Sequence, residues 1–233
     1  MTTSGTFSNN FDNADFVTEA FERIGVDPIG ITSRHIDSAL RSIEFMFAEW
    51  ETRGVRLYKL ETITLTSATT PAFGNGIRSL TLPTRVIRVI NAVSQDADGA
   101  VVPIAEIGRQ DYDWLNNKTQ TGSIVDRFYL DRQRDAPVLY NWPVPDNNLR
   151  SLVLSCFVRM QDVGELSDQP DVPRIWFNAL AQGLSGRLAQ KYNRPIMDEE
   201  MQLGEIAFKL AKGEDRDPAP TQLVADLRIG RRR

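Results

Sequence analysis

The spacing of the hydrophobic residues changes twice along this chain, from the period of a helix to that of a strand and back. Apolar residues recur every third or fourth position over residues 11–54 and 168–213, which is typical of amphipathic helices. The intervening residues 55–167 are rich in β-branched and aromatic residues and alternate imperfectly. The sequence therefore predicts an α+β fold, a helical bundle of about four helices with an inserted antiparallel β domain.

The two ends of the chain lack this patterning. Residues 1–10, MTTSGTFSNN, are small and polar, which predicts a flexible leader. Residues 214–233 contain two prolines and no hydrophobic period, so we expect an extended C-terminal arm. The arm also carries apolar and basic side chains, which favour docking on a protein over contact with nucleic acid. These side chains are Leu223, Val224, Leu227, Ile229, Arg228, Arg231, Arg232 and Arg233.

Residues 172–195, VPRIWFNALAQGLSGRLAQKYNRP, predict the central helix of the bundle. Asp171 is the expected N-cap, Pro173 suits the first turn, and Pro195 ends the helix. An apolar stripe along this helix predicts that it lies in the core, and neighbouring small residues predict that other helices pack closely against it. The stripe is Trp176, Leu180, Leu184, Leu188 and Tyr192, and the small residues are Ala179, Gly183 and Gly186.

The two N-terminal helices have recognisable ends. Asp12 or Asn13 is the expected cap of the first helix, and Gly25 ends it. Thr32 or Ser33 opens the second helix. Three glutamates of the second helix are expected to face away from the core, namely Glu44, Glu49 and Glu51.

The last predicted helix runs from residue 197 to residue 212. Acidic residues in its first turn and lysines in its last turn match the helix dipole. Gly213 is the expected stop.

The middle of the chain predicts several strands joined by turns. Gly74-Asn75-Gly76 is a turn signal that lacks the lysine of a phosphate-binding loop, and Asp98-Gly99 predicts a hairpin. Residues 109–118 are compatible with a short helix or with a loop. The predicted strands are VRLYKLETITLTSATT, IRSLTLP, RVIRVINAV, AVVPIAEI, DRFYLDRQ, APVLYNWP and LRSLVLSCFVRMQ.

Candidate catalytic residues are few. Ser33, His35 and Asp37 lie two residues apart on different helix faces, so an exposed helix-start histidine is favoured over a triad. Cys156 lies in an apolar strand, which favours a buried inert thiol over a nucleophile. Three acidic sets are better explained by a helix start or by loop solvation than by paired-acid catalysis. The sets are Asp111/Asp113, Asp131/Asp135 and Asp198/Glu199/Glu200.

The amino-acid composition excludes several further classes of protein and of binding site. The formal net charge of −4 argues against a general nucleic-acid binder, although the C-terminus is locally basic. The single cysteine excludes an internal disulfide, and the single histidine excludes a His-rich zinc site. We expect no cofactor, no metal and no catalytic residue. The chain has no apolar run that could span a bilayer and no signal-peptide pattern, so we expect no membrane contact.

Several stretches together resemble the head-to-tail adaptor (connector) proteins of short-tailed bacteriophages. They begin with AFERIGVDPIGITSRHIDSALRSIEFMFAEWETRGVRLY near the front and LTLP followed by RVIRVINAV in the middle. The most specific are FYLDRQRDAPVLYNWPVPD and the later helix with its P-x-x-W-x-x-A-L pattern. The similarity extends from Phe16 to the end of the last helix, and none of these motifs is catalytic.

The resemblance implies a structural virion protein at the head-tail interface, made in the host cytoplasm during assembly. Such proteins form a twelvefold ring on the portal protein, with the tail nozzle or tail tube below, and genomic DNA passes through without being read. The helices build the ring, the β domain projects towards the tail, and a C-terminal arm binds the portal. Here the expected portal-binding residues are Leu223, Val224, Leu227, Ile229, Arg231, Arg232 and Arg233.

Two other functions remain open from the residues alone. A peptidoglycan-degrading hydrolase requires two carboxylates about 5 to 9 Å apart in a cleft, one of them with a raised pKa. A DNA-binding regulator requires a basic recognition helix, whereas the second helix combines basic residues with a dense acidic side.

Overall fold

A computed structural model describes residues 11–55 and 59–215 of the chain. The predicted leader and the portal-binding residues of the arm lie outside the described residues. Within them, four long helices and one short helix accompany ten strands, so the predicted mixed α+β class is confirmed. The helices are α1 (Asn13–Arg23), α2 (Ser33–Thr52), α3 (Arg109–Asp113), α4 (Phe177–Lys191) and α5 (Met197–Glu214).

Helix α1 is fixed at its start by both its own cap and a distant segment. Asp12 caps it in a reciprocal arrangement with Asp15, and Gly25 with φ of 72° follows its end, as predicted. The buried Asn13 side chain donates hydrogen bonds to the carbonyls of Val163 (2.7 Å) and Glu165 (2.8 Å). The segment leaving the β region is therefore held against the first turn of α1.

Helix α2 begins after Thr32, as predicted, but its glutamates do not simply face solvent. Glu51 Oε1 accepts a hydrogen bond from the backbone N–H of Met160 at 2.7 Å, and Glu44 Oε2 accepts one from Val163 at 3.1 Å. Glu44 and Glu49 are exposed, so the prediction that they face away from the core is confirmed, whereas Glu51 is half-buried because the segment that returns from the β region passes beside it.

Helix α4 is shorter than its sequence pattern predicted. A single 3₁₀ turn, Arg174–Trp176, precedes Phe177, where the α-helix begins. Asp171 does not cap the helix, because its carboxylate instead binds Lys59 and the backbone N–H of Gln161. The α-helix ends at Lys191, before Pro195.

The C-terminal end of α4 follows from backbone geometry. Asn193 has φ of 49°, a left-handed conformation that stops a helix and that asparagine adopts more readily than most residues. By contrast, Gly213 does not stop α5, which continues through Glu214. A glycine inside a helix is tolerated, and here the Asp215 N–H still bonds to the Ala211 carbonyl.

The β region contains two four-stranded sheets, ordered β1-β10-β3-β4 and β2-β8-β7-β5, and a short pair, β6-β9. Pairing is antiparallel except for β5 with β7 and β6 with β9. The strands are β1 (Leu60–Leu65), β2 (Ser79–Thr81), β3 (Val86–Asp96), β4 (Val101–Pro103), β5 (Ala105–Glu106), β6 (Thr121–Gly122), β7 (Arg127–Asp131), β8 (Val138–Trp142), β9 (Val144–Pro145) and β10 (Arg150–Val158).

Several turn predictions in this region are confirmed, but the strand lengths differ. The hairpin at Asp98-Gly99 joins β3 to β4, and Gly99 has φ of 86°. Residues 109–118 contain the short helix α3 rather than only a loop. Among the described residues of the first predicted strand, Leu60–Leu65 form β1, and Thr69 folds the following residues into a turn through hydrogen bonds to Thr66.

The described residues contain two hydrophobic cores, one among the helices and one between the sheets. Trp176 and Trp50 lie at the centre of the helical core, with ring centroids 5.0 Å apart. Leu139, Leu152 and Leu154 are fully buried in the sheet core. The predicted domain boundaries, 11–54 with 168–213, 55–167 and 214–233, stay a prediction.

Candidate interaction surfaces

Cys156 lies in strand β10, and its side chain has no access to solvent. Burial raises the pKa of its thiol to about 11, and the nearby Glu61 carboxylate adds to this shift. Because the thiolate is the nucleophilic form, Cys156 is protonated and unreactive at neutral pH. The prediction of a buried thiol is confirmed.

His35 stabilises the start of α2 and is not part of a triad. Its Nδ1 accepts a hydrogen bond from the Thr32 backbone N–H at 3.2 Å. Its ring lies edge-on to Tyr192, with centroids 5.3 Å apart, and also contacts Phe21. The prediction of a helix-start histidine was right about its position, but the residue is half-buried rather than exposed because Tyr192 covers it.

The predicted acidic sets have local partners. Asp113 lies 3.6 Å from Arg109 and 3.5 Å from Lys118, and Asp131 accepts a hydrogen bond from Gln133 at 2.6 Å. The third set opens α5, where acidic side chains favour the helix dipole. These arrangements match the interpretation as loop solvation and helix start.

The carboxyl groups with clearly shifted pKa values do not have the character of a general acid. Hydrogen bonds from Arg85 lower the pKa of Glu61, and hydrogen bonds from Arg53 lower the pKa of Glu205. A general acid at neutral pH needs a pKa shifted in the opposite direction. Over residues 11–55 and 59–215, no group of three or more His, Cys, Asp or Glu side chains is arranged to hold a metal ion.

An open groove of about 410 Å³ lies between α1 and α4. Its apolar floor consists of Phe11, Phe16 and Phe177, whose rings meet edge-to-face with centroids 5.3 to 6.0 Å apart. We call it the phenylalanine groove. Along one side runs the acidic stripe of α1, which consists of the exposed residues Asp15, Glu19 and Glu22.

A basic cluster lies where the start of α2 meets the end of α4. It consists of Arg34, Arg41 and Lys191, which line a second depression together with Ser38, and of Arg187, which lies near Lys191 and is ion-paired with Glu49. Partial burial lowers the pKa of Lys191, and the charges of Arg41 and Arg187 lower it further. The cluster is therefore a locally electropositive surface on a chain of net negative charge.

Large apolar side chains on the outer surfaces of the helices are exposed. Phe45, one turn beyond Arg41 on α2, is 67% exposed. On α5, Leu203, Ile206 and Leu210 form a stripe at i, i+3 and i+7, and each is at least 42% exposed. A contiguous exposed apolar stripe such as that of α5 is typical of surfaces that bind other molecules.

A family model described as SU10 adaptor protein matches residues 13–223. The chain belongs to this family. As an SU10 adaptor it is a structural adaptor of a bacteriophage and a component of the virion, which confirms the resemblance read from the sequence. No curated protein sequence matches the chain.

Membership of the SU10 adaptor family agrees with the exposed apolar and charged surfaces of the helices. In the part of the adaptor that the structure describes, no helix is both long enough and apolar enough to cross a membrane. The sequence analysis did not identify the phenylalanine groove or the basic cluster. Two sequence patterns could have indicated these surfaces. Asp15, Glu19 and Glu22 are spaced to lie on one side of α1, and Arg34 and Arg41 are spaced to lie on one side of α2.

Proposed function

We propose that this adaptor forms a ring of twelve copies beneath the portal protein and connects the capsid to the tail nozzle or tail tube. The observation that carries the proposal is the family match over residues 13–223. The charged and apolar surfaces of α1, α2 and α5 support it, because a ring of identical copies needs complementary surfaces on each copy. Genomic DNA passes through the ring without sequence-specific binding, and the net negative charge suits a passage that does not grip DNA.

The C-terminal arm is the proposed contact with the portal. Leu223, Val224, Leu227 and Ile229 supply apolar surface, and three terminal arginines add charge. Ordering an arm on a partner costs conformational entropy, so these contacts must outweigh that cost. Assembly on the portal then follows naturally, because the arm contributes its binding energy only when the portal is present.

The test is removal of residues 216–233, which leaves α5 intact because the helix extends through Glu214. The truncated protein is expected to keep its fold, measured by circular dichroism, but to lose binding to the portal of the same phage. Replacement of Arg231, Arg232 and Arg233 by alanine is the matched variant that separates the charged from the apolar contribution. Full portal binding by the truncated protein would refute the role of the arm.

The mass of the full chain, alone and mixed with the portal, tests the ring itself. A complex of fixed stoichiometry with the portal is expected. A chain that stays monomeric under both conditions would contradict the proposed function.

A further inference from the structure

We propose that each copy inserts Phe45 into the phenylalanine groove of the next copy, with the basic cluster of the first copy facing the acidic stripe of the second. This inference rests on the ring of the proposed function and specifies the contact that closes it. The occupant of the groove is thus a second copy of this chain.

The spacing of the charges on the two helices is the same. Asp15 and Glu22 are seven residues apart on α1, and Arg34 and Arg41 are seven residues apart on α2. At a rise of 1.5 Å per residue, each pair spans about 10.5 Å. If the two helices pack antiparallel, Asp15 faces Arg41 and Glu22 faces Arg34 at the same time.

The same register brings the apolar parts together. Phe45 follows Arg41 by four residues, and Phe11 precedes Asp15 by four residues. In the antiparallel arrangement Phe45 lies beyond the Asp15–Arg41 level, on the side where Phe11 precedes the N-cap Asp12 and lines the groove. Phe45 is 67% exposed and Phe11 is 40% exposed, so both gain from being covered. The ring of Phe45 joins the three phenylalanine rings of the groove and adds further edge-to-face contacts.

The middle of the interface brings a lysine near Glu19. Glu19 Oε1 is 2.8 Å from Arg23 Nε of its own helix. In this register Glu19 lies opposite Asp37, one residue before Ser38 on α2. There, Lys191 Nζ donates hydrogen bonds to the Ser38 carbonyl at 2.9 Å and to Ser42 Oγ at 2.6 Å, which places a positive charge at that level.

Two different surfaces take part in this contact, so it is heterologous. Phe45 and the basic cluster belong to α2 and the end of α4, whereas the groove belongs to α1 and the start of α4. A heterologous contact leaves a free surface at each end of a pair of copies, and it repeats until the ring closes. A symmetric dimer would need Phe45 and the groove of one copy to face the same partner at once, so that each contact is made twice.

The test uses charge reversal in the full chain. Glu22→Arg and Arg34→Glu are each expected to raise the concentration needed for half-maximal ring formation, with or without the portal, by about tenfold or more. An equimolar mixture of the two variants is expected to restore rings, because each variant then meets only its opposite and the copies alternate. Sedimentation and electron microscopy measure both effects, and circular dichroism verifies that each variant is folded.

Phe45→Ala tests the apolar part, and Leu149→Ala is the matched control because Leu149 is 76% exposed in the β region. Only Phe45→Ala is expected to weaken ring formation. If the wild-type chain forms rings and the Phe45→Ala, Glu22→Arg and Arg34→Glu variants form them equally well, this inference is overturned and the proposed function stands. A wild-type chain that forms no ring even with the portal would overturn the proposed function, and this inference with it.

Discussion

Glu200 connects three helices, and its removal tests how the helical core is held together. It is 8% exposed, and its Oε2 accepts hydrogen bonds from Gln182 Nε2 at 2.6 Å and from Ser185 Oγ at 2.5 Å. Gln182 in turn accepts a hydrogen bond from Arg23 of α1. The change Glu200→Ala therefore breaks a link that runs from α5 through α4 to α1.

The expected cost follows from the groups left behind. Ser185 retains a hydrogen bond to the Gln182 carbonyl at 2.8 Å, so the main loss is the charged acceptor of the Gln182 amide. A hydrogen bond to a charged group contributes about 1.5–3 kcal/mol, and a carboxylate in the first turn of a helix adds about 0.3–1 kcal/mol. We therefore expect Glu200→Ala to lower the free energy of unfolding by about 2–4 kcal/mol.

Urea titration with tryptophan emission measures this loss, because Trp50 and Trp176 report on the helical core. For a chain of this size, a loss of 3 kcal/mol lowers the Tm by about 6–12 °C. Glu200→Gln is the control, since its amide oxygen can still accept from Gln182, and it should cost clearly less. A loss below about 0.5 kcal/mol for Glu200→Ala, or equal losses for both variants, would refute the reasoning.

Two further predictions concern the α4–α5 seam and the buried thiol. Gly204→Val should destabilise the protein by about 1–3 kcal/mol in urea titration, because a Cβ there would lie 3.2 Å from the Gln182 carbonyl oxygen. Gly213→Val, where a Cβ meets nothing within 4 Å, should be close to neutral, and equal effects would contradict close packing as the cause. Because the Cys156 pKa is raised from 9.0 to about 11, alkylation followed by mass spectrometry should be negligible at pH 8 in the folded protein and rapid in urea. The stabilising effect of the neutral thiol should be complete below pH 9 and lost as the pH rises to 11, and rapid labelling of the folded protein at pH 8 would contradict its burial.

The hydrophobic period predicted the helices well, because each helix packs an apolar face on one shared core. In α1, for example, Phe16 and Phe21 lie on the apolar face and are buried. Helix ends were less predictable where a distant group competes for the capping residue. Asp171 has a suitable capping side chain, but Lys59 and Gln161 bind its carboxylate, and no local pattern reveals this.

The interaction surfaces could be predicted only in part. The charges of α1 and α2 are visible in the sequence, but their exposure depends on which side of each helix faces the core. Phe45 illustrates this limit, since it lies beside the buried residue Met46 and only the packing shows that Phe45 is exposed. The groove could not be predicted, because Phe11 and Phe177 are far apart in sequence and meet only when α4 packs against α1.

The pairing of β1 with β10 has a consequence for how such chains can change. Leu60 and Phe157 are direct partners, so the inserted segment begins and ends about one strand spacing apart. Hydrogen bonds from Met160 and Val163 to α2 fix the chain just outside that point. A genetic exchange between these two strands could therefore replace the whole β surface, with the short helix α3, as a cassette while the four long helices keep their places. A phage lineage could in this way change the β surface of the adaptor without altering the helical surfaces that we propose hold its copies together.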